Sequence, residues 1–508
     1  MKYTFLPFLA ACAVSAFAAE TRTGRAPTQP NIVIVLADDF GYGDAGCYDP
    51  EFSKIPTPNI DRLAREGMMF TNAHSSSSVC TPTRYGLLTG RYNWRSRLQA
   101  GVLPPYGSPL IAPDRLTIAG LLKQQGYQTA CIGKWHLGWQ WPKRDGKVVF
   151  DAPITEGPTT RGFDYYFGTD VPNYPPFTFI ENDRVTVQPT GQFHASKELI
   201  VRHDGPAAPG WKFENILPAL VEKADDFIDR CAGSRQPFFL YLPLTTPHEP
   251  LAPSDQFKGR SGINAVGDLI METDWALGQV MEALKTTGVA DNTLLIFTSD
   301  NGHCVYTGLE PFKKAGHRVS GPFRGYKFDA WDGGHRLPLV VRWPGVVKPD
   351  SRCGQVVSLN DLMATCAGIT AAKIPANAGE DSFSFLPLLR GENRPIRESV
   401  VCHSGKGLFS IQRGDWKLIV GLGPVGGHPG ETAAAPGQLY NLAADIGETK
   451  NLYAQHPEIV AELTALLRNC VEDGRSTPGP KQQNDVPVDW EKKNPPAGHG
   501  GKQADESA

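Results

Sequence analysis

Several features are scarce or missing in this 508-residue sequence, and each absence excludes a class of protein. The charged residues nearly balance, with a formal net charge of -3, so the chain lacks the basic surplus that is typical of nucleic-acid-binding proteins. No apolar run beyond the N-terminus reaches the ~20 residues that a membrane span requires. The ten cysteines are scattered singly, and without a Cys-x-x-Cys pair nothing indicates a zinc site. We therefore expect neither nucleic-acid binding nor a transmembrane segment.

The N-terminus has the pattern of an export signal. Lys2 precedes an apolar run that ends at Phe17, and residues 16–18, Ala-Phe-Ala, form a small-x-small cleavage pattern. This pattern predicts a signal peptide over residues 1–18 and a periplasmic or secreted protein. Residues 9–12, Leu-Ala-Ala-Cys, also match a bacterial lipoprotein box, so anchoring through Cys12 is the second possibility. Export would permit disulfides among the eight cysteines other than Cys12 and Cys80, but their spacing indicates no pairing.

Apolar runs and amphipathic segments alternate through the first three quarters of the chain. Continuous apolar runs are typical of parallel strands that are covered on both faces, and 3.6-residue periodicity indicates helices between them. The predicted strands are residues 31–37, 128–133, 238–242, 294–299 and 337–343, and the predicted helices are residues 60–66, 116–125, 216–231 and 267–286. This alternation predicts an α/β sandwich with a large, mostly parallel sheet covered by helices.

Polar side chains follow four of these strands where each strand ends. They are Asp38 and Asp39, Lys134 and His136, His248, and Asp300 and Asn301. Each alone is also an ordinary turn or surface residue, but the carboxyl ends of parallel strands meet at one edge of a sheet, where ligands bind. Asp38, Asp39, Asp300 and Asn301 offer only oxygen ligands, which suit Ca²⁺ or Mg²⁺ and not zinc.

Beyond Arg390 the pattern changes to short strands. Residues 400–404, 409–413, 416–420 and 438–440 predict an antiparallel sheet, and residues 457–470 predict a helix that covers it. The predicted organisation is therefore a signal peptide, an α/β catalytic domain over residues 30–391, a C-terminal α+β subdomain over 392–475 and a disordered tail over 476–508. The tail prediction rests on its content of Pro, Gly, Lys and Gln.

One polar loop, Ser75–Ser78, delivers Cys80 to the start of a predicted helix. Pro82 suits the first helical turn, and Arg84 lies one turn after Cys80 on the same face. Free N–H groups at a helix N-terminus, together with a guanidinium, attract anions. A single cysteine in a polar loop is more often a structural thiol or half of a disulfide, so this stretch alone leaves its role open.

The longer string resembles a family signature. Cys80-Thr81-Pro82-Thr83-Arg84, followed by Leu88-Thr89-Gly90-Arg91, is similar to the signature of type I sulfatases of the alkaline phosphatase superfamily, in which this cysteine is oxidised to formylglycine. Gly133–Gly138, Pro247–Pro250 and Lys327–Gly334 resemble three further elements of that family, although Phe328 stands where the family usually has glycine. The resemblance extends over about residues 30–450 and implies the alkaline-phosphatase-like sandwich.

The resemblance also implies roles for individual residues. It implies a catalytic set of Cys80, Arg84, Lys134, His136, His248 and Lys327, and a metal-binding set of Asp38, Asp39, Cys80, Asp300 and Asn301. The expected metal is Ca²⁺, with Mg²⁺ as an alternative, and a maturation enzyme must convert Cys80 to formylglycine. His248 is expected to protonate the departing alcohol, and His136 to remove the proton of the hydroxyl that later expels sulfate.

A sulfated carbohydrate is the expected substrate of an exported sulfatase. Ser254–Gly262 and Asp274–Gly278 resemble the arylsulfatase A and N-acetylgalactosamine-6-sulfatase branch, which implies exo-removal of a 6-sulfate from galactose or N-acetylgalactosamine. The irregular segment Asp170–Pro176 is predicted to line the sugar pocket. Two alternatives remain: a phosphonate or phosphate monoester hydrolase on the same fold, and a calcium-stabilised glycan-binding protein in which Cys80 stays a thiol.

Overall fold

The computed structural model describes residues 1–2, 29–234, 236–421 and 436–491. The predicted signal peptide, apart from its first two residues, and Cys12 lie outside the described residues. Among the helices of the described part, none combines the length and the apolar composition that crossing a bilayer demands.

A mixed sheet of eleven strands forms the centre of the larger domain. In chain order the strands are Asn31–Asp38 (β1), Met68–His74 (β2), Gln128–Lys134 (β3), Tyr165–Thr169 (β4), Ile180–Glu181 (β5), Arg184–Val185 (β6), Phe238–Pro247 (β7), Thr293–Ser299 (β8), Arg336–Arg342 (β9), Ser351–Cys353 (β10) and Val357–Ser358 (β11). Their spatial order is β10-β2-β9-β8-β1-β7-β3-β4-β5-β6, and β11 also pairs with β2. The five central strands, from β8 to β4, are all parallel.

Helices cover both faces of this sheet. They are Pro58–Glu66 (α1), Cys80–Thr89 (α2), Ile118–Gln124 (α3), Ile216–Ala232 (α4), Ala265–Thr286 (α5), Glu310–Ala315 (α6), Asp332–His335 (α7), Leu362–Thr370 (α8) and Leu386–Leu389 (α9). Strand β1 shows why two covers are needed, because all of its residues are buried. Its even-numbered residues from Ile32 to Leu36 pack into a core with α2, α3 and α8, and its odd-numbered residues from Val33 to Ala37 pack into a core with α1, α4 and α5. The predicted α/β sandwich is confirmed.

The predicted strands and helices are all present, with ends that differ by a few residues. The strand predicted over 337–343 occurs as β9, but it runs antiparallel to both of its neighbours, β8 and β2. Strands β2 and β4 were not predicted from the sequence. Two short hairpins, Lys143–Arg144 with Lys147–Val148 and Gly191–Phe193 with Gly205–Ala207, lie outside the main sheet.

The C-terminal subdomain is a four-stranded antiparallel sheet with one long helix. Its strands are Val400–His403 (β12), Phe409–Arg413 (β13), Trp416–Val420 (β14) and Gly437–Asn441 (β15), and its helix is Pro457–Glu472 (α10). Leu463 and Leu467 of α10 pack on Ile411 and Leu418 of the sheet. His403 at the end of β12 also forms a parallel bridge with Ser77, so the small sheet reaches the loop that precedes Cys80.

The prediction of a disordered tail from residue 476 is wrong for residues 476–491. Asp485 accepts two hydrogen bonds from Arg91, Asn484 accepts one from Arg95, and Trp490 is buried in the core of the small subdomain. The polar composition misled the prediction because the buried arginines that hold this segment lie almost four hundred positions earlier in the chain. Residues 492–508 lie outside the described residues.

The nine cysteines of the described part of the chain are all free thiols. The disulfides that export would permit among the eight cysteines other than Cys12 and Cys80 are therefore not formed in this structure. Eight of the nine thiols are buried, where cysteine behaves as a small apolar side chain.

Candidate active site

Four acidic or amide side chains from two neighbouring strands meet at one edge of the sheet. Because β1 and β8 are parallel and Ala37 pairs with Ser299, the residues after each strand end come together. The backbone N–H of Asp39 donates to Oδ1 of Asp300 at 3.1 Å, and Nδ2 of Asn301 donates to Oδ1 of Asp39 at 2.8 Å. Asp38 and these three residues are almost completely buried.

Three cationic side chains interleave with the three carboxylates. Nη2 of Arg84 lies 2.7 Å from Oδ2 of Asp300 and 3.3 Å from Oδ1 of Asp38. Nζ of Lys134 lies 2.7 Å from Oδ2 of Asp38. Nζ of Lys327 lies 2.7 Å from Oδ2 of Asp39. The structure thus brings together charged residues that are spread over almost three hundred positions of the sequence.

Burial and charge act in opposite directions on the carboxylates. Burial raises the pKa of Asp38, but Lys134, His248 and Arg84 outweigh burial, so the net pKa lies well below its usual range. Burial and the neighbouring Asp38 raise the pKa of Asp300 to about 7. The three carboxylates thus face three cations in a buried space, and Asp300 is the carboxylate whose charged form burial and Asp38 disfavour.

Cys80 is the first residue of α2 and is 3% exposed. The loop before it is held by backbone bonds, since the N–H of Ser75 donates to the carbonyl of His335 at 2.9 Å and the N–H of Ser78 donates to the carbonyl of His403 at 3.1 Å. Burial raises the pKa of the Cys80 thiol, and the charges of Lys134 and Lys327 offset this only in part. An unmodified Cys80 is therefore mainly protonated near pH 7 and a weak nucleophile.

His136 presents a free ring nitrogen in the same site. Its Nε2 lies 3.1 Å from the carbonyl oxygen of Leu103, which can only accept, so Nε2 carries the proton. Its buried Nδ1 is then unprotonated and has no hydrogen-bond partner. Burial, followed by the charge of Lys134, holds the pKa of His136 well below its usual range. His136 is therefore a neutral ring with one nitrogen available as a base.

His248 is oriented in a similar way by the backbone. Its Nδ1 lies 2.6 Å from the carbonyl oxygen of Glu249 and donates to it, and its Nε2 lies 4.0 Å from Oδ2 of Asp39. Burial, followed by the charge of Lys134, lowers the pKa of His248 to about 4. The ring is therefore neutral at pH 7 before an anion binds.

Two of the four predicted carboxylate or amide ligands of the metal have an oxygen atom that receives no hydrogen bond from the protein. Oδ1 of Asp38 and Oδ1 of Asn301 are buried and accept no hydrogen bond. Ligand atoms of Asp38, Asp39 and His248 lie within 4.8 Å of one another. Buried polar oxygens without partners are costly, and an oxygen-only set suits Ca²⁺ or Mg²⁺. The residues present therefore fit a divalent cation.

Three residues outside the predicted catalytic set support the site, and two of them, Asp170 and Tyr174, belong to the segment predicted to line the sugar pocket. Asp170 accepts the backbone N–H of His136 through Oδ1 at 3.2 Å, and the Tyr174 ring lies 5.8 Å from the His136 ring. Oε2 of Glu249 lies 3.5 Å from Nδ1 of His248. Asp170 directly follows β4, so prediction of that strand would also have placed Asp170 among the strand-end residues.

Fold and matched family define the class of this protein. The family model described as Sulfatase matches residues 30–372, and the chain belongs to the sulfatase family, hydrolases of sulfuric esters. The chain is 35% identical over 501 residues to N-acetylgalactosamine-6-O-sulfatase of Bacteroides thetaiotaomicron, covering 88% of this chain and 94% of that protein. It is 31% identical over 490 residues to arylsulfatase A of Homo sapiens, covering 89% and 90% of the two chains.

A solved structure agrees with this assignment. It comes from work on the metabolism of multiple glycosaminoglycans by Bacteroides thetaiotaomicron, and it matches with a TM-score of 0.78 and 34% sequence identity over 87% of this chain and 99% of that chain. The resemblance to type I sulfatases and the alkaline-phosphatase-like fold that it implied are confirmed.

Proposed function

We propose that this protein hydrolyses sulfate monoesters of carbohydrates in the periplasm or outside the cell, with a formylglycine made from Cys80 as its nucleophile. One observation carries the proposal most strongly. The helix that begins at Cys80 also carries Arg84, whose guanidinium bridges carboxylates from two strand ends, Asp38 and Asp300. The candidate nucleophile is therefore fixed to the same buried charges that would receive an anionic ester.

Asp38, Asp39, Asp300 and Asn301 would hold Ca²⁺, or alternatively Mg²⁺, together with an oxygen of the modified residue 80. Their unused oxygens support this assignment. When bound, the ion would withdraw negative charge from the sulfate group and from the nucleophilic oxygen.

Three cations are available for the nonbridging oxygens of the ester. In the structure the Nζ atoms of Lys134 and Lys327 each donate one hydrogen bond, to Asp38 and Asp39, and an ammonium has three N–H groups. Both lysines therefore keep donors for a bound sulfate. With Arg84 they would stabilise the charge that develops as the sulfur–oxygen bond breaks.

The two histidines divide the proton transfers. Nδ1 of His136 is unprotonated and unpartnered, so it can take the proton from the second hydroxyl of residue 80 as sulfate leaves and the aldehyde re-forms. Nε2 of His248 is the free nitrogen of that ring and is our candidate to protonate the departing alcohol. Because its pKa is about 4 without substrate, this role requires that the bound anion raise the pKa.

The substrate assignment rests on the relatives. The Bacteroides thetaiotaomicron relative is named for 6-O-sulfated N-acetylgalactosamine, which supports exo-removal of a 6-sulfate from N-acetylgalactosamine or galactose. The position of Asp170 and Tyr174 beside His136 supports the prediction that Asp170–Pro176 lines the sugar pocket.

Sulfate release by the matured protein tests the proposal. We expect release, measured by ion chromatography, from 6-sulfated N-acetylgalactosamine or galactose and not from the 4-sulfated sugar. The variant Cys80→Ala should lose roughly 10³-fold or more of this activity, and mass analysis of the Cys80 peptide should show an aldehyde or its hydrate. A retained thiol without sulfate release would favour the glycan-binding alternative. Faster turnover of an aryl phosphate than of the matched aryl sulfate would favour the phosphatase alternative.

A further inference from the structure

We propose that Phe328, Tyr306 and Arg202 form a second saccharide subsite beside the reaction centre. This subsite binds the sugar next to the sulfated one, together with an anionic group that this second sugar carries. The inference rests on the proposed function and specifies its substrate class as an oligosaccharide with negative charge on consecutive sugars.

These side chains form a path from the buried charges to solvent. Lys327, whose Nζ contacts Asp39, also lies with Nζ 5.5 Å from the centre of the Phe328 ring. The Phe328 ring is half-buried, and its centre lies 5.7 Å from that of Tyr306, which is 40% exposed. The guanidinium carbon of Arg202 lies 5.0 Å from the centre of the Tyr306 ring. A chain of sugars that leaves the sulfate position toward Phe328 would therefore meet Tyr306 and then Arg202.

Arg202 also belongs to the segment that crosses to the other side of the site. Its neighbour His203 contacts Tyr174 with ring centres 5.1 Å apart, and the Tyr174 ring lies 5.8 Å from that of His136. Residues 202–203 therefore connect the His136 side of the reaction centre with the Lys327 side. Arg202 therefore lies next to residues that contact both sides of the reaction centre.

The backbone holds Phe328 in an unfavourable conformation. Its φ is 79°, in the left-handed region that bulky residues rarely adopt. Its N–H donates to the carbonyl of Ser78 at 2.9 Å, and its carbonyl accepts from the N–H of Gly405 at 3.0 Å. A Cβ on Gly405 would lie 2.6 Å from Cδ1 of Phe328, so glycine leaves room for the ring. Strain of this kind is concentrated at sites that bind ligands.

The chemistry of the three side chains matches an acidic saccharide. Part-exposed aromatic rings such as Phe328 and Tyr306 offer apolar faces to the C–H face of a pyranose. Arg202 is exposed and makes no ion pair with any described residue, so its N–H groups are free for an oxyanion. A guanidinium binds both carboxylate and sulfate oxygens in bidentate fashion, and the anionic group is therefore a hexuronate carboxylate or a second sulfate.

Four substrates separate these possibilities. They are 6-sulfated N-acetylgalactosamine alone, and the same sugar linked to a neutral hexose, to a hexuronate or to a sulfated hexose. The readout is the ratio of kcat/KM for each disaccharide to kcat/KM for the monosaccharide. In the wild type we expect this ratio to be highest for the disaccharides whose second sugar is anionic.

Variants show how much each side chain contributes to this kcat/KM ratio. Arg202→Gln should lower the ratio by about tenfold for the anionic disaccharides and leave the neutral disaccharide less affected. Phe328→Gly relieves the backbone strain but removes the ring, so it should lower the ratio for all three disaccharides. Tyr306→Ala should do the same, whereas Tyr306→Phe should keep most of the wild-type ratio. Arg144→Gln is the matched control, because Arg144 is an exposed arginine that pairs with Asp151 on a hairpin outside the main sheet, and it should leave every ratio unchanged.

Equal ratios in the wild type, Arg202→Gln and Phe328→Gly would overturn the subsite. Absence of sulfate release from every sugar would instead refute the proposed function. Calorimetric binding of the unhydrolysed disaccharides to Cys80→Ala, with and without Arg202→Gln, then decides the subsite independently. Weaker binding of only the anionic disaccharides in the double variant supports it, and unchanged binding overturns it.

Discussion

Two buried clusters of charged side chains differ in how fully their hydrogen-bonding groups are used. At the sheet edge, Nζ of Lys134 and Nζ of Lys327 each donate a single hydrogen bond. The second cluster joins α7 to the C-terminal subdomain and is called the seam; it consists of Lys417, Asp332, Glu448 and His335. Nζ of Lys417 lies 2.7 Å from Oδ1 of Asp332, 2.9 Å from Oε1 of Glu448 and 3.2 Å from Nε2 of His335. The ammonium of the seam lysine therefore has three polar neighbours within 3.2 Å.

The acceptors differ in the same way. At the sheet edge three atoms are buried without a hydrogen-bond partner: Oδ1 of Asp38, Oδ1 of Asn301 and Nδ1 of His136. At the seam both oxygens of Asp332 accept, from Lys417 and from Arg336, and Oε1 of Glu448, which lacks a hydrogen-bond partner, still lies 2.9 Å from the ammonium of Lys417. Burial and charge therefore do not distinguish a structural cluster from a functional one. The extent of unused hydrogen-bonding capacity differs between them, because a structural cluster satisfies most of its groups internally, whereas a binding site keeps several groups for its ligand.

The largest effect on stability is expected from Lys417→Met. This variant leaves Asp332 and Glu448 buried without their shared ammonium, which should lower the free energy of unfolding by about 3–5 kcal/mol. Chemical denaturation measures this loss, and the sulfate release per folded molecule should remain near wild type. Lys147→Met, at an exposed position, is the control. If Lys417→Met abolished activity without changing the unfolding curve, the structural reading of the seam would be wrong.

Lys134→Met should show the opposite pattern. Asp38 keeps Arg84 at 3.3 Å, so the loss of unfolding free energy should be smaller than for Lys417→Met. Turnover should fall by about 10²–10³-fold, because a donor to the charge that develops on the sulfate is removed. Steady-state kinetics on a 6-sulfated sugar, combined with the same denaturation experiment, compares the two lysines directly. Equal losses of stability with unaltered kinetics would erase the distinction between the clusters.

Calcium binding should depend on the unpartnered oxygens of the sheet-edge cluster. At a Ca²⁺ concentration of 100 times its dissociation constant, binding to the native state should raise the free energy of unfolding by about 2.7 kcal/mol. Asn301→Ala removes one unpartnered oxygen and should reduce this calcium-dependent rise. Asn360→Ala is the matched control, since Asn360 is also buried and its side-chain oxygen also lacks a partner. A calcium response that survives Asn301→Ala and disappears in Asn360→Ala would place the ion elsewhere.

The parts of the fold that depend on local patterns could be predicted from the sequence. The run at 31–37 is apolar at every position but the first, as a strand between two covered faces requires. Strand β2 escaped prediction because Thr71, Asn72 and His74 interrupt its apolar pattern, although β9 and β10 enclose it. Strand β4 is short and contains Gly168. Both strands form because they pair with strands that are distant in the sequence, and a local pattern does not show such pairing.

The residues of the candidate site also fall into a part that local patterns predict and a part that they do not. Asp38, Lys134 and Asp300 each follow a strand that the sequence predicts, so their proximity could be anticipated; their roles remain predictions. Asp170 follows strand β4, which was not predicted, so the sequence placed Asp170 in the segment that lines the sugar pocket but not at the strand end beside His136. One partner of Lys417, Asp332, lies 85 positions before it, and the other, Glu448, lies after β15. No local pattern therefore identifies the seam.

The segment at 476–491 offers the smallest expected effect. Asp485 is 49% exposed, and its partner Arg91 also lies 3.3 Å from Glu380, so Asp485→Asn should cost less than about 1 kcal/mol of unfolding free energy. Asp381→Asn is the buried counterpart, because Asp381 pairs with Arg95 at 2.8 Å and both side chains are fully buried, and it should cost several times more. Denaturant titration of the two variants compares them. Since both bonds join an arginine after α2 to a carboxylate, a larger loss from Asp485→Asn would mean that the segment holds the nucleophile helix in place more strongly than the buried pair does.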